Sequence, residues 1–186
     1  MTLDDIRTIL FSKSLDRLRD KTLAENESVL WEGRPDPVIG MLALRVLWPI
    51  GLVWLILTYM AWQRGWIGEA VVPLGLIGIG ITAGPFVKAL YDMQTLYVIT
   101  DRRAIILRTA WGKPGVYSSP FAIMDRKLEL LNVGRGAAHL YFRSGVSARL
   151  PDSDYTGRFG FRAIGDAENV RAILENVSRN LRGKEK

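Results

Sequence analysis

Two long uncharged runs, joined by a short polar link, constrain most strongly what this chain can fold into. Residues 46–62 and 70–87 carry no formally charged side chain over seventeen and eighteen positions. A core helix of a soluble protein is usually shorter and keeps a polar stripe, which neither run has. Aromatic residues at the run ends match the level of lipid headgroups. The pattern predicts a hairpin of two transmembrane helices, at about 43–62 and 70–90 within residues 41–91.

Three prolines fall within these runs. Pro49 and Pro73 lie in the predicted first turns, where a missing backbone N–H is harmless, and Pro85 lies in the last predicted turn. The sequence therefore predicts two continuous helices.

Positively charged residues flank the hairpin on its outer sides. Those before the first run are Arg34 and Arg45, and those after the second are Lys88, Arg102 and Arg103. The link between the runs has one arginine and one glutamate. Because Lys and Arg accumulate on the cytoplasmic side, both termini of this multi-pass protein are predicted to be cytoplasmic.

Composition limits the chemistry that the chain can perform. The sequence has no cysteine and one histidine, which excludes thiolate and multi-histidine metal sites. Residues 92–186 hold sixteen Lys/Arg against ten Asp/Glu, whereas residues 1–40 hold six against eight. These cations are scattered along a segment that follows the predicted anchor. We therefore expect attraction to anionic lipid headgroups and no nucleic-acid binding.

The first forty residues are predicted to form a helix and an extended lead-in. Apolar residues over 3–24 recur at helical spacing, with two aspartates at the start and basic residues near the end. This amphipathic helix would cover an apolar face of the folded domain or lie on the membrane. Residues 25–40 contain a short apolar run, then Gly33, Pro35 and Pro37, which indicates an extended piece and a turn.

Residues 92–186 are predicted to form one cytoplasmic domain. Six β-type runs follow the hairpin, separated by turn signals: TLYVIT, AIILRTA, GVYSSPF, KLELLNV, HLYFR and FGFRAI. They predict a small, curved antiparallel sheet or barrel. Asp166 then begins a helical pattern with Val170, Ile173, Leu174 and Val177 on one face. This helix is expected to cap the barrel and belong to its core, giving an α+β membrane protein.

The order of these parts resembles the bacterial pleckstrin-homology-like (PH-like) domains of membrane proteins. The matching pieces are ENESVLWEGRP, two spans, YVITDRRAIIL and FGFRAIGDAENVRAIL. The resemblance implies a seven-stranded, partly open antiparallel β-barrel capped by a C-terminal helix, placed at the bacterial cytoplasmic (inner) membrane. Many members of that family have no assigned activity.

Motifs for catalysis or metal binding are weak. His139 lies in a strand-like run, and nothing in the sequence pairs it with a serine nucleophile. Asp152 and Asp154 have the spacing of cation-binding loops, but the remaining calcium ligands are missing, so a solvated turn is the better interpretation. We expect no enzyme activity, no cofactor and no metal.

Two small features suggest contacts. Arg45, Lys88, Arg102 and Arg103 are candidate lipid-facing cations. The last two lie in a turn where eukaryotic PH domains gather cations, but positive-inside topology is the better explanation of that pair. Gly80 and Gly84, one helical turn apart, predict a groove that the first span fills, with dimerisation as the alternative.

The sequence thus supports two hypotheses. The first is a non-enzymatic membrane protein whose cytoplasmic PH-like domain binds an unidentified protein partner as an anchor, scaffold or assembly factor. The alternative is a sensor of anionic lipid headgroups that uses Arg102, Arg103 and the N-terminal helix.

Overall fold

A computed structural model describes residues 3–109, 113–147 and 152–184, with side chains for residues 12–180 of these ranges. The elements in chain order are α1 (Leu3–Thr22), β1 (Val29–Gly33), α2 (Pro37–Ala43), α3 (Leu47–Gln63), α4 (Val71–Met93), β2 (Thr95–Thr100), β3 (Arg103–Arg108), β4 (Gly115–Pro120), β5 (Glu129–Gly134), β6 (Ala137–Arg143), β7 (Phe159–Ile164) and α5 (Ala167–Lys184). Short 3₁₀ turns occupy Gly68–Ala70 and Phe121–Ile123. The chain divides into two compact units, residues 37–91 and the described parts of 1–36 with 92–186.

The second of these units is an α+β domain with two antiparallel sheets. One sheet has the strand order β1-β2-β3-β4 and the other β5-β6-β7. Among the strands that the structure describes, the predicted barrel does not close, because β4 and β5 are not hydrogen-bonded neighbours. Pro120 ends β4, and the 3₁₀ turn that follows takes the chain to the second sheet.

The two sheets share one apolar core. Ile99 and Ile106 of the first sheet belong to the same buried cluster as Leu140, Phe142 and Phe161 of the second. Tyr97 stacks on Phe161 across the sheets with ring centroids 4.7 Å apart. Helix α5 closes this core through Val170 and Leu174, both essentially inaccessible, while Ile173 and Val177 pack at its margin. The prediction that α5 belongs to the core is confirmed.

Helix α1 covers the outer face of the first sheet. Leu15 is fully buried and packs with Leu96 and Val98 of β2 and with Ile105 and Leu107 of β3. Since successive side chains of a strand point to opposite faces, β2 faces the core with Tyr97 and faces α1 with Val98. Burial on both faces explains why β2 is buried along its whole length. Of the two roles predicted for this helix, covering the domain is the one that the burial of Leu15 supports.

Strand β1 was not predicted as a strand. It pairs antiparallel with β2, with Trp31 opposite Ile99 and Gly33 opposite Tyr97. The Trp31 ring stacks on Phe161 with centroids 5.7 Å apart. The chain therefore enters this domain as its first strand, leaves it for residues 37–91, and returns as β2.

Residues 37–91 form apolar helices that differ in detail from the prediction. The stretch Gly68–Met93 is long and apolar enough to cross a membrane. Helices α2 and α3 reach that length only together, and they are bent by 53° at the break between them. Pro49 accounts for the break because it has no N–H to donate to the carbonyl of Arg45. The chain instead makes i→i+3 bonds at 44–48, including Leu47 N to the Leu44 carbonyl at 2.9 Å.

Pro85 also lies in a different place from the prediction. Helix α4 continues to Met93, so Pro85 is in its interior and not in its last turn. The helix is continuous across this proline, although the carbonyl of Ile81 loses its usual i+4 donor there.

The close approach between α3 and α4 involves one glycine of the predicted pair and two other glycines. A side chain on Gly78 would collide with Trp54 and Leu55, and one on Gly51 with Thr82. Gly84 has Leu47 Cδ1 3.3 Å from the position of a Cβ, but Gly80 faces open space. Of the predicted pair, only Gly84 therefore lies against α3, and Gly80 does not; Gly51 and Gly78 are the glycines where a side chain would collide with the facing helix.

Replacing Gly78 with Leu should weaken the association of α3 with α4. A Leu side chain overlaps Trp54, whose indole Nε1 donates to the Leu74 carbonyl at 2.8 Å. Overpacking of this kind usually costs about 1–3 kcal/mol. The measurement is unfolding of the full chain in detergent micelles as SDS is increased. Gly80→Leu is the matched control and should leave the midpoint unchanged; an equal loss in both variants would show that the contact is not at Gly78.

Candidate binding surfaces

The predicted cations Arg102 and Arg103 lie at the turn between β2 and β3, where they hold the lead-in segment. The Arg103 guanidinium donates to both Glu27 carboxylate oxygens, at 2.8 and 2.9 Å, and to the Thr22 carbonyl at 3.1 Å. Arg102 is exposed and donates to the Asn26 carbonyl at 3.1 Å. The Arg103 charge is thus neutralised within the domain, and the pair joins the end of α1 to β2 and β3.

The ion pair perturbs both of its members. Hydrogen bonds from Arg103 lower the pKa of Glu27 to about 2, against the opposing effect of burial, and Thr100 and the Ala24 N–H add to the lowering. The same hydrogen bond to Glu27 raises the pKa of Arg103. The Glu27 side chain is only 1% exposed, so solvent screens this pair weakly.

Glu27→Gln should destabilise the domain in a pH-dependent way. A carboxyl whose folded-state pKa is lowered contributes stability above its unfolded pKa of about 4.5 and loses it as the pH falls toward 2. At neutral pH the wild type should exceed Glu27→Gln by about 2–3 kcal/mol. Urea unfolding of the full chain in micelles, between pH 7 and pH 2, measures this difference. It should shrink toward acid pH, and Glu25→Gln, at an exposed position, should show neither effect.

The other predicted cations belong to residues 37–91. Arg45 is exposed at the break between α2 and α3, and Lys88 is half-buried on α4 with an interaction of its own. Of the four candidates, Arg102 and Arg103 are neighbours at the turn between β2 and β3.

Asp152 and Asp154 are buried, contrary to the prediction of a solvated turn. Asp152 accepts from Arg108 at 3.0 Å, and Asp154 accepts from Arg158 Nε at 2.7 Å. Burial opposes ionisation of Asp154, but hydrogen bonds from Thr156 and Arg158 outweigh it and lower its pKa. Because each of these carboxylates pairs with an arginine of the domain, its role is structural. Among the described residues no group of three or more acidic or histidine side chains could hold a metal ion.

His139 has a structural partner in the neighbouring strand. Its Nδ1 accepts the backbone N–H of Ala163 at 2.8 Å, and Ala163 has a positive φ of 52°. The histidine thus supports a strained backbone position in β7, where β6 and β7 shift register.

A pocket between α5 and the segment before β5 was not found by sequence reasoning. Its volume is about 300 Å³. The floor is formed by Met124, Leu128 and Leu174, all buried. Three exposed cations surround it: Arg126, Lys127 and Arg179. The sequence gives no sign that residues so far apart along the chain meet in one place.

The acidic residues of this pocket compensate only part of its charge. Glu175 accepts from Arg171 Nε at 2.8 Å, so its charge is balanced by a cation of its own helix. Asp125 is the other acidic lining residue. Around the described residues of the pocket, the cations Arg126, Lys127 and Arg179 therefore leave a positive excess.

Comparison with known proteins identifies no relative. No protein-family model, no curated protein and no solved structure matches this chain. Functional assignment must come from the residues themselves.

Proposed function

We propose that this protein is a non-enzymatic integral protein of the bacterial cytoplasmic membrane, whose PH-like domain binds a protein partner as an anchor, scaffold or assembly factor. The observation that carries the membrane part is the exposure of large apolar side chains on α3 and α4. Leu52, Ile56, Leu76 and Ile79 are each more than half exposed.

This exposure argues against a helix pair from a soluble core. Within Gly68–Met93, only 11% of the most apolar 18-residue stretch is buried. Soluble monomers rarely expose contiguous apolar patches larger than a few hundred Å². Hydrocarbon tails would cover these side chains without further protein, which supports a membrane-spanning hairpin formed by α2–α3 and α4.

The domain part of the proposal is supported by its strand arrangement. Among the described residues, seven strands form sheets of four and three with α5 over their shared core, which supports the architecture that the PH-like resemblance implies. The hairpin sequence enters between β1 and β2, so both of its ends continue into strands of one sheet. Such a domain would remain tethered to the membrane at two points in the chain.

Protein binding is favoured over headgroup sensing by the state of the predicted cations. Arg103, the more buried of the pair, is already neutralised by Glu27. A headgroup at this turn would have to displace that carboxylate. The pocket at α5, in contrast, combines an apolar floor with an excess of positive charge at its rim. Amino-acid side chains of a protein partner could fill such a pocket.

The topology of the proposed hairpin can be tested with reporter fusions. Both termini should be cytoplasmic, with the link at 63–69 on the other side, because the cations flank the outer ends of the hairpin. A fusion at residue 66 should give the periplasmic signal and one at residue 186 the cytoplasmic signal. A periplasmic signal at residue 186 would contradict the proposed orientation.

Partner binding is tested by crosslinking in intact membranes, followed by affinity capture of the full chain. The control is Gly160→Ala, which is expected to unfold the domain while keeping the hairpin. A protein captured stoichiometrically by the wild type and lost with the control supports the proposal. Capture of anionic lipid alone would favour the headgroup-sensor alternative.

A further inference from the structure

The pocket between α5 and the segment before β5 has an apolar floor and a positively charged rim. We propose that it binds an extended acidic segment of the partner protein, which adds to the free edge of β5 and directs its carboxylates to Arg126, Lys127 and Arg179. This inference rests on the proposed partner-binding function and names the chemistry of that partner.

The charge of the rim is available to a ligand. Arg126, Lys127 and Arg179 are exposed, and their side chains make no ion pair with another residue that the structure describes. Elsewhere in the domain, Arg103, Arg108 and Arg158 each bond to a carboxylate. Carboxylates are natural partners for such cations, because charge-assisted hydrogen bonds are about twice as strong as neutral ones.

The floor of the pocket adds an apolar requirement. Met124 and Leu128 are 5% exposed and Leu174 1% exposed, so the floor belongs to the same apolar core as α5. A volume of about 300 Å³ holds one or two side chains. The ligand should therefore alternate acidic side chains, for the rim, with an apolar one for the floor.

The edge of β5 determines the conformation of the ligand. Among the described strands, β5 is an outer strand paired only with β6, so its other edge has unpaired N–H and C=O groups. Leu131 on this strand is 45% exposed. β5 begins at Glu129, directly after Leu128 of the pocket floor, so this edge starts next to the pocket in the chain. A peptide backbone can pair with such an edge, whereas a lipid headgroup cannot.

The test measures binding of immobilised short peptides to the full chain in micelles. One library alternates Asp or Glu with apolar residues, and the other has Lys or Arg at the acidic positions. The wild type should prefer the acidic library. Selected peptides should bind the combined variant Arg126→Glu, Lys127→Glu and Arg179→Glu roughly a hundredfold more weakly. N-methylation of alternate peptide nitrogens should abolish binding, because it removes the donors for strand pairing.

The matched control is the variant Lys13→Glu, Arg17→Glu and Lys21→Glu, which reverses the charge of three exposed side chains of α1. It should bind the acidic peptides as the wild type does. Unchanged urea unfolding shows that each variant folds, and Arg126→Gln, Lys127→Gln and Arg179→Gln repeat the test with milder changes. The inference is overturned if neither library is preferred, if both triple variants bind equally, or if the pocket variant instead loses binding to anionic vesicles.

The capture experiment separates this inference from the proposed function. If the pocket variant still captures the same membrane partner as the wild type, the pocket is not the site but partner binding stands. If the wild type captures no protein, the proposed function itself fails.

Discussion

Gly160→Ala is expected to unfold the β6–β7 pairing, although it adds only one methyl group. Gly160 lies opposite Tyr141 in the sheet. A Cβ at this position would run into the Leu140 carbonyl oxygen and lie 2.6 Å from Tyr141 Cα. These are backbone atoms of a central strand, which cannot rotate away as a side chain can. We expect a loss of at least about 3 kcal/mol, at the upper end of single-substitution effects.

Hydrogen exchange of the full chain in micelles measures this effect where it arises. Backbone amides of β6 and β7 should lose protection in Gly160→Ala, whereas those of α4 should keep theirs. Gly165→Ala provides the control, because nothing lies within 4 Å of a Cβ there and its backbone is compatible with Ala. If both variants lose protection equally, the close approach at Gly160 is not the cause.

Local patterns predicted most strands correctly. The runs TLYVIT and FGFRAI coincide with β2 and β7. Such runs are recognisable because β-branched and aromatic residues fit a pleated surface, and because Gly, Pro and Asp mark the turns between them. The same logic identified the apolar stripe of α5 from its helical period.

Long-range pairing could not be predicted in this way. The run around Trp31 is a short extended piece in the sequence, and nothing near it reveals that its partner is β2, on the far side of the hairpin. The ion pair of Glu27 with Arg103 and the pocket at Arg126 and Arg179 could not be predicted for the same reason. Each joins residues that are distant in the chain, and the chemistry of either residue alone does not specify the other.

The break before α3 shows a limit within local reasoning. Pro49 was correctly placed in a first turn. Its effect on the preceding carbonyl, however, is exerted at Arg45, outside the helix that contains the proline. A proline can therefore be compatible with its own helix and still require the chain that precedes the helix to bend.

Leu174→Asp should destabilise the domain by about 4–5 kcal/mol. Leu174 is 1% exposed and lies in the core shared by both sheets and α5. An aspartate there would bury a carboxylate without a partner, in addition to the lost apolar contacts. Its pKa would rise, so the loss should be smaller in acid, where the group is neutral.

The neighbouring positions of α5 distinguish burial from helix propensity. Ala172→Asp places the same residue on the exposed face and should cost less than about 1 kcal/mol. Ile173→Asp, at the margin of the core, should fall between the two. Urea unfolding of the full chain in micelles gives all three values under the same conditions. If Leu174→Asp and Ala172→Asp are equally stable, α5 does not close the core, and the pocket that depends on Leu174 would lose its floor.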